Sequence, residues 1–491
     1  MNNTVFHRSH IVKTGVWLFF GIFLYFYLNL FGNALIDDAF ITLRYAKTLL
    51  SSGTWGFFPG VVANSATSPF NVLLLTVISL FTGPTTTASL WLYLLCLLVI
   101  AFLLARLSLQ LTGSELYGWL AVSALAFNPL LTSTIGLESI VFTTLFVLAL
   151  YCYQFQKWTM LAIALGLLTL TRADGVLFFL IFLLFAPGNK IRTKLVLVYL
   201  FCILPWYLFS WVYLGSFLPD TFFIKTNQST WFQWDFFNGM TSLYYFVYPV
   251  ETLLAFAFLP LIALLLHRKI RETPVLIIVW LAGLIHFVGY SALKVPPFHW
   301  YYVPQVISLI LLGSLGLGVA YRTSRRYWQQ RAWGLTTAIF FLIPALGMTF
   351  LLGRENFVVR EMPIHSNWAT HEQYKQIGLW LKENEAGHTI QLQGSEIGTL
   401  SYYCDCRLLD RFSDRSWLKD YMIEHSNSGI MSTLLEINFA FYSKPAFPWD
   451  GYILKAYATT PGIDGEAIKE WEISTKWIGR ARVILIRQFS D

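Results

Sequence analysis

The chain has 491 residues, 56% of them hydrophobic, 18% aromatic and only 12% charged, with a net charge of +7. A soluble domain carries about 25% charged residues, so this composition excludes an ordinary soluble enzyme and points to a polytopic membrane protein, because lipid satisfies no backbone polar group and forces long apolar helices. The positive charge is no nucleic-acid footprint, since many basic residues sit in short loops between apolar runs, as cytoplasmic loops require.

Met1 to Lys13 is polar and basic, and no small-residue cleavage site follows the first apolar run, which reads as a retained first helix. Apolar segments of spanning length cover 14–31, 88–105, 115–132, 137–154, 158–172, 174–186, 194–213, 246–266, 273–292, 300–320 and 332–352. Segment 67–82 is short, opens on Thr67-Ser68-Pro69 and reads as a re-entrant or juxtamembrane helix. The prediction is a polytopic α-helical fold with about 11 to 13 transmembrane helices. The clusters "HRSHIVK", "NKIRTK" (189–194), "HRKIRE" (267–272) and "RTSRRYWQQR" (322–331) belong in the cytoplasm, with Arg106 and Lys157 on the same side. The N-terminus is then cytoplasmic, and Asp37, Asp38, Glu138 and "TRADG" (171–175) lie outside.

Three outer segments are long: 32–66, 214–245 and everything after about 353. The last contains "HTIQLQ" and "ARVILIRQ", which alternate as strands do, and "HEQYKQIGLWLKENE" (371–385), with helical spacing at Tyr374, Ile377 and Leu381. This predicts a membrane module over 1–352 and an extracytoplasmic α/β domain over 353–491. No inverted repeat of the transporter type is present. Cys96, Cys152 and Cys202 lie in apolar runs as packing residues. Cys404 and Cys406, in "YYCDC", could pair in an oxidising compartment, although a one-residue gap is tight for a disulfide.

Charged residues gather at outer helix ends while helix interiors are nearly free of them. Asp37-Asp38 precede a short helix over 39–51, where one carboxylate is explained as a helix-start acceptor. The second is not, because adjacent carboxylates repel; the pair can bind a cation or proton, or simply meet water. In a helix Asp37, Ile41, Arg44 and Thr48 share a face, placing a candidate base on one stripe with an anion-binding cation. Glu138, in "TSTIGLESIVF", is a first-turn glutamate suited to the dipole, or a third carboxylate of the same site. Arg172 either pairs with Asp174 inside "TRADG" or contacts a lipid-linked phosphate. Lys225 lies just beyond a span, and "KVPPFHWYYVP" (294–304) gathers Lys294, His299, Trp300, Tyr301 and Tyr302, either as an interfacial belt or as a phosphate- or sugar-binding edge.

The stretch "DDAFITLRYAKTLLSSGTWGFFPG…SATSPF" resembles the first outer loop of polytopic GT-C glycosyltransferases, most nearly the terminal β-(1→2)-arabinofuranosyltransferases. "GLESIVF", "TRADG", "YLGSFLPDTFFIKT", "PFHWYYVP" and "GSEIGTLSYYCDCRLLDRFSD" resemble later blocks of that family in the same order. The resemblance implies an inverting-type glycosyltransferase of the bacterial inner membrane, taking a monosaccharide (arabinofuranose in that family) from a polyprenyl-phosphate donor to an extracytoplasmic glycan or protein. It implies Asp37 as general base, Asp38 as orienting carboxylate or cation ligand, and Glu138 as a further site carboxylate. Arg44, Arg172, Lys225, His299 and Tyr301 become contacts for donor phosphate or substrate. A divalent cation held by Asp37 and Asp38 is compatible with it. Two other classes remain at this point: a lipid-linked glycan transporter or flippase, which needs ionisable groups deep in the membrane, and a scaffold, which needs no carboxylate pair.

Overall fold

The computed structural model describes residues 2–226, 231, 233–425, 429–443, 449–458 and 465–488, with side chains from residue 15 onward. Among the described residues six helices are long and apolar enough to cross a membrane: Thr85–Thr112, Gly188–Tyr213, Pro249–Leu266, Pro274–Ala292, His299–Thr323 and Tyr327–Arg354. Six shorter apolar helices, Gly15–Asn29, Pro69–Thr82, Leu116–Ala126, Ser139–Gln154, Trp158–Thr171 and Gly175–Phe185, accompany them. Helix Val303–Thr323 is buried along nearly its whole length, whereas Gly188–Tyr213 leaves Phe201, Leu204, Leu208 and Val212 exposed, an apolar surface suited to lipid.

Two expected spans are less regular than their hydropathy suggests. Segment 115–132 ends its helix at Ala126, and Asn128 then caps a second turn, accepting the amides of Leu130 and Leu131 at 3.0 and 3.2 Å before Pro129–Thr132. Segment 246–266 is broken into Pro249–Ala255 and a 3-10 turn Leu259–Leu266, because Pro249 and Pro260 supply no N–H to a continuous ladder. The expected helix over 39–51 runs over Asp37–Ser52 and stops at Gly53, whose φ of 67° is cheap only without a Cβ. In the second long outer segment the structure has the helix Asp220–Thr226 and the turn Gly239–Tyr244, while 227–230 and 232 lie outside the described residues.

The C-terminal region is the expected small α/β unit. Its strands are β1 Thr389–Gln393, β2 Arg407–Leu409, β3 Tyr452–Tyr457, β4 Glu466–Thr475 and β5 Gly479–Arg487, in the spatial order β2-β1-β3-β5-β4. β1 pairs in parallel with β2 and β3, and β5 is antiparallel to β3 and β4. Helix His371–Asn384 opens with a capping box between Thr370 and Gln373 and buries Tyr374, Ile377 and Leu381. The period read from the sequence is therefore the face that packs.

This unit is seated on the helix Asp37–Ser52. Phe40 lies between the rings of His371 (4.8 Å) and Tyr402 (5.3 Å), and Lys47 donates to the Tyr402 carbonyl at 2.8 Å. Further along, Arg415 pairs with Asp220 at 2.6 Å and donates to the Leu214 carbonyl at 2.8 Å. Segments 32–66 and 214–245 thus both grip the C-terminal unit.

Candidate active site

Asp38, Glu138, Arg172, Lys225 and Tyr301 line one cavity of about 410 Å³. Each comes from a different element. Asp38 is on the first turn of Asp37–Ser52, Glu138 precedes Ser139–Gln154, and Arg172 lies between Trp158–Thr171 and Gly175–Phe185. Lys225 sits in the last turn of Asp220–Thr226 and Tyr301 in the 3-10 turn His299–Tyr302. The apolar part of the lining includes Leu137, Leu177, Phe222 and Leu293. The segment carrying Glu138 comes close to the first-loop helix at Gly136 (φ 91°), where a Cβ would meet the Ala39 side chain at 2.8 Å.

Arg172 organises one wall. Its guanidinium bonds Glu138 at 3.2 Å and Asp174 at 2.8 Å, and lies over the rings of Phe142 and Tyr301 at 5.7 Å. Asp174 also accepts from Tyr290 at 2.8 Å and meets His286 Nε2 at 2.9 Å. Burial alone would raise Asp174, but Arg172 and His286 together hold its carboxyl well below the usual range. The intraloop pair read from "TRADG" is therefore present, as one edge of a larger network.

Opposite stands a looser pair. Lys225 Nζ is 4.0 Å from Asp38 and sits over the rings of Phe298, Trp300 and Tyr301 at 4.8, 5.6 and 5.6 Å. Burial opposes the ammonium charge, but Tyr301, Asp38 and Glu138 outweigh it and keep Lys225 cationic. The Asp38 side chain is 28% exposed, into this cavity, and its recessed position raises its carboxyl, with Lys225 pulling partly the other way. A recessed carboxylate and a cation paired with it only at 4.0 Å are what an incoming anion and a departing proton need.

The other expected site residues lie elsewhere. Asp37 is buried, and both its oxygens are occupied: Oδ2 accepts the Gly398 amide at 2.8 Å and Oδ1 the Thr399 amide at 2.7 Å. These are N-terminal amides of the helix Ile397–Cys404, so Asp37 caps a helix 360 residues away in the chain rather than its own, by the dipole and orphan-donor logic of any N-cap. Burial raises its carboxyl to about 7 despite those amides. That value would suit a base, but access comes before proton affinity, and Asp37 has none to the cavity. Arg44 donates to the Phe57 carbonyl at 2.7 Å and pairs with Asp405, which also takes Lys47 and Lys382. His299 is fully buried between Tyr244 and Trp300, behind the cavity wall. Arg44 and His299 are thus brought into the fold's interior and do not line the cavity of Asp38.

Because the two aspartates diverge, they do not form a shared cation seat, and among the described residues no three His, Cys, Asp or Glu side chains converge as one. Cavity residues not singled out as site members include Asp174, Tyr290, Thr221 and Phe412. Asp174 was visible in "TRADG"; Phe412 comes from the C-terminal unit, inside the block "GSEIGTLSYYCDCRLLDRFSD", but nothing in that block marked it out from its neighbours. Cys404 and Cys406 are joined as a disulfide around Asp405.

No family model and no curated protein matches the chain. Solved structures match it almost end to end, among them two of one protein. ArnT from Cupriavidus metallidurans bound to undecaprenyl phosphate has 14% identity and a TM-score of 0.60, over 96% of this chain and 98% of that one. The same protein in the apo state has 14% identity and a TM-score of 0.61, over 97% and 98%. At that identity the likeness is one of fold. The chain shares the fold of ArnT, a polytopic helical architecture with the small C-terminal α/β unit expected from its sequence, and this likeness does not extend to the arabinofuranosyltransferase family.

Proposed function

We propose that the chain is a membrane glycosyltransferase moving a monosaccharide from a polyprenyl-phosphate donor to an acceptor hydroxyl, with inversion. The observation that carries this reading is the facing of Asp38 and Lys225 across a cavity with an apolar lining among membrane-length helices. That the similarly folded ArnT was solved with undecaprenyl phosphate supports a lipid-linked donor. In this reading Asp38, rather than its neighbour, accepts the proton of the acceptor hydroxyl. The freed oxygen attacks the anomeric carbon from the side opposite the phosphate. The carbon–oxygen bond to phosphate breaks, and polyprenyl phosphate leaves with the electron pair beside Lys225. General-base assistance contributes on the order of 10² to 10⁴ in rate, and stabilising the leaving phosphate adds to it. Glu138 and Arg172 act as a fixed wall that positions Tyr301, and Asp37 acts in docking.

For the sugar we propose arabinofuranose, on the resemblance of the first outer loop; the acceptor is an envelope glycan or glycoprotein. We place the module boundary at 352/353, with the N-terminus cytoplasmic and the cavity and C-terminal unit outside; the Cys404–Cys406 bridge supports an oxidising compartment for the latter. The test is reconstitution in sealed proteoliposomes with polyprenyl-phosphoryl arabinofuranose or a polyprenyl-phosphoryl hexose and an envelope glycan extract, with product read by mass spectrometry and sugar accessibility read on each side of the bilayer. New glycosidic product from the parent and none from Asp38→Asn is expected. Movement of the lipid-linked sugar across the bilayer with no new glycosidic bond would establish the flippase instead.

A further inference from the structure

A second cavity, of about 660 Å³, lies wholly within the C-terminal unit. It opens at the carboxyl ends of the parallel strands β1 and β2, the edge at which open α/β sheets bind ligands. Its polar and aromatic lining is Gln393, Asp410, Arg411, Asp414, Trp417 and Trp449. No step of the proposed transfer uses it.

The lining is built rather than incidental. The loop after β2 is cross-braced: Asp410 Oδ1 accepts the amides of Phe412 and Ser413 at 2.8 and 2.9 Å, and Ser413 Oγ donates to the Leu408 carbonyl at 3.0 Å. Trp449 is 46% exposed, and its indole is pinned by a 3.0 Å bond from Nε1 to the Tyr452 carbonyl. Two indoles beside carboxylate, amide and guanidinium groups suit a ligand with flat C–H faces and a rim of hydroxyls.

A nucleotide is the other ligand usual at such a strand edge. It would set its phosphate on the helix that follows β1, after a glycine turn. Here that turn has Gly394 at φ 71°, and the amides of Gly398 and Thr399 are already bonded by Asp37. A Cβ at Gly398 would lie 2.0 Å from the Asp37 carbonyl oxygen, so no room remains for a phosphate there. Among the described lining residues Arg411 is the sole cation.

The two cavities share a wall. Asp410, Arg411 and Asp414 line the C-terminal one, while Phe412 between them lines the cavity of Asp38. The Phe412 carbonyl is held by the Ser65 hydroxyl on the rim of the latter. From this geometry we propose that the C-terminal cavity is a binding subsite for the acceptor glycan, taking a saccharide unit behind the hydroxyl that reacts at Asp38. The word acceptor rests on the transferase reading; the binding of an oligosaccharide does not.

The experiment separates the two. Full-length protein in nanodiscs is titrated by calorimetry with a linear arabinofuranosyl hexasaccharide, a mannopyranosyl hexasaccharide and uridine diphosphate. Binding of at least one hexasaccharide is expected, weakened tenfold or more in Trp449→Ala and in Asp414→Asn, and partly restored in Trp449→Phe. With transfer measured alongside, Trp449→Ala should raise the KM for a long acceptor far more than for a disaccharide. Failure of both hexasaccharides to bind, equal affinity in all the variants, or tighter binding of the diphosphate at the same residues overturns the subsite. Full transfer by Asp38→Asn would overturn the proposed base and leave the binding result standing.

Discussion

The cavity beside Asp38 and the seam around Asp37 begin at neighbouring residues and share almost no chemistry. Successive side chains on a helix point roughly 100° apart, so a carboxylate pair at a helix start serves two surfaces at once. Asp38 faces a space with one cation 4.0 Å away. Asp37 is sealed against the backbone amides of Gly398 and Thr399. The contrast teaches that a second aspartate at such a position need not be a second site residue: it can fasten the unit that covers the site. Whatever moves the C-terminal unit then acts on the residue next to the proposed base.

The sharpest way to break this comparison is to neutralise each carboxylate in turn. Asp38→Asn should lower transfer by about 10² to 10⁴ with the protein still folded, measured as product formed at saturating donor. Asp37→Asn should lower transfer far less and loosen the C-terminal unit instead. Equal losses from both, with both proteins folded, would return Asp37 to the chemistry. Next in size is the opposite wall. Arg172→Ala leaves the buried Glu138 and Asp174 without their cation, a cost of about 3–5 kcal/mol that thermal unfolding in detergent should register. Lys225→Ala should cost donor handling rather than folding: losing a charge-assisted contact worth about 1.5–3 kcal/mol lowers kcat/KM for the donor roughly tenfold to a hundredfold, with kcat falling as well as donor KM rising because the contact also serves the departing phosphate.

Much of this was legible in the sequence wherever the signal is local. Helix His371–Asn384 announced itself through Tyr374, Ile377 and Leu381, and the strands β1 and β5 through their alternation. Asp38, Glu138, Arg172, Lys225 and Tyr301 could be picked out because ionisable and aromatic residues at the ends of apolar helices stand out against a nearly uncharged background. What could not be read is direction. Asp37 and Asp38 have the same side chain and neighbouring positions, and only the arrival of Gly398 and Thr399 decides between them. Arg44 shares the helical face assigned to it, but its guanidinium is taken up by Asp405 and the Phe57 carbonyl rather than lining the cavity of Asp38. The break within 246–266 was written in Pro249 and Pro260, yet mean hydropathy is blind to a missing N–H.

The seam should also respond to pH, in a direction set by burial. Asp37 titrates near 7 when docked, against about 3.9 in an unfolded chain. The docked state therefore holds a proton that the undocked state gives up. Its contribution is fully present below about pH 4 and is lost as pH rises through 7. Glu396, half-buried beside it and bonded to Asn367 at 2.8 Å and to the Trp368 amide at 3.1 Å, is raised by desolvation and moves the seam the same way. Amide exchange at Gly398 and Thr399, corrected for the intrinsic pH dependence of exchange, should be better protected at pH 5 than at pH 8, with the difference reduced in Asp37→Asn. Protection that grows toward pH 8 would mean that the two amide bonds to an ionised carboxylate outweigh its burial.

The smallest effect belongs to the far end of the same seam and sharpens the comparison by grading it. Asp405 collects three cations that differ chiefly in exposure: Arg44 at 3%, Lys47 at 34% and Lys382 at 51%. Its carboxyl is held down to about 2, burial opposing and Lys47 and Arg44 prevailing. Lys382, 3.1 Å away, is screened by water and constrains a long side chain, so Lys382→Ala should change the unfolding free energy by only about 0–1 kcal/mol. Arg44 also holds the Phe57 carbonyl, and its removal strands a buried acceptor as well as a charge. Arg44→Ala should therefore exceed Lys382→Ala severalfold in the same denaturation series, although both side chains touch one carboxylate. Equal costs would mean that the seam is held by net charge alone, and the distinction between a sealed contact and a wet one, on which the assignment of Asp37 and Asp38 also depends, would lose its footing.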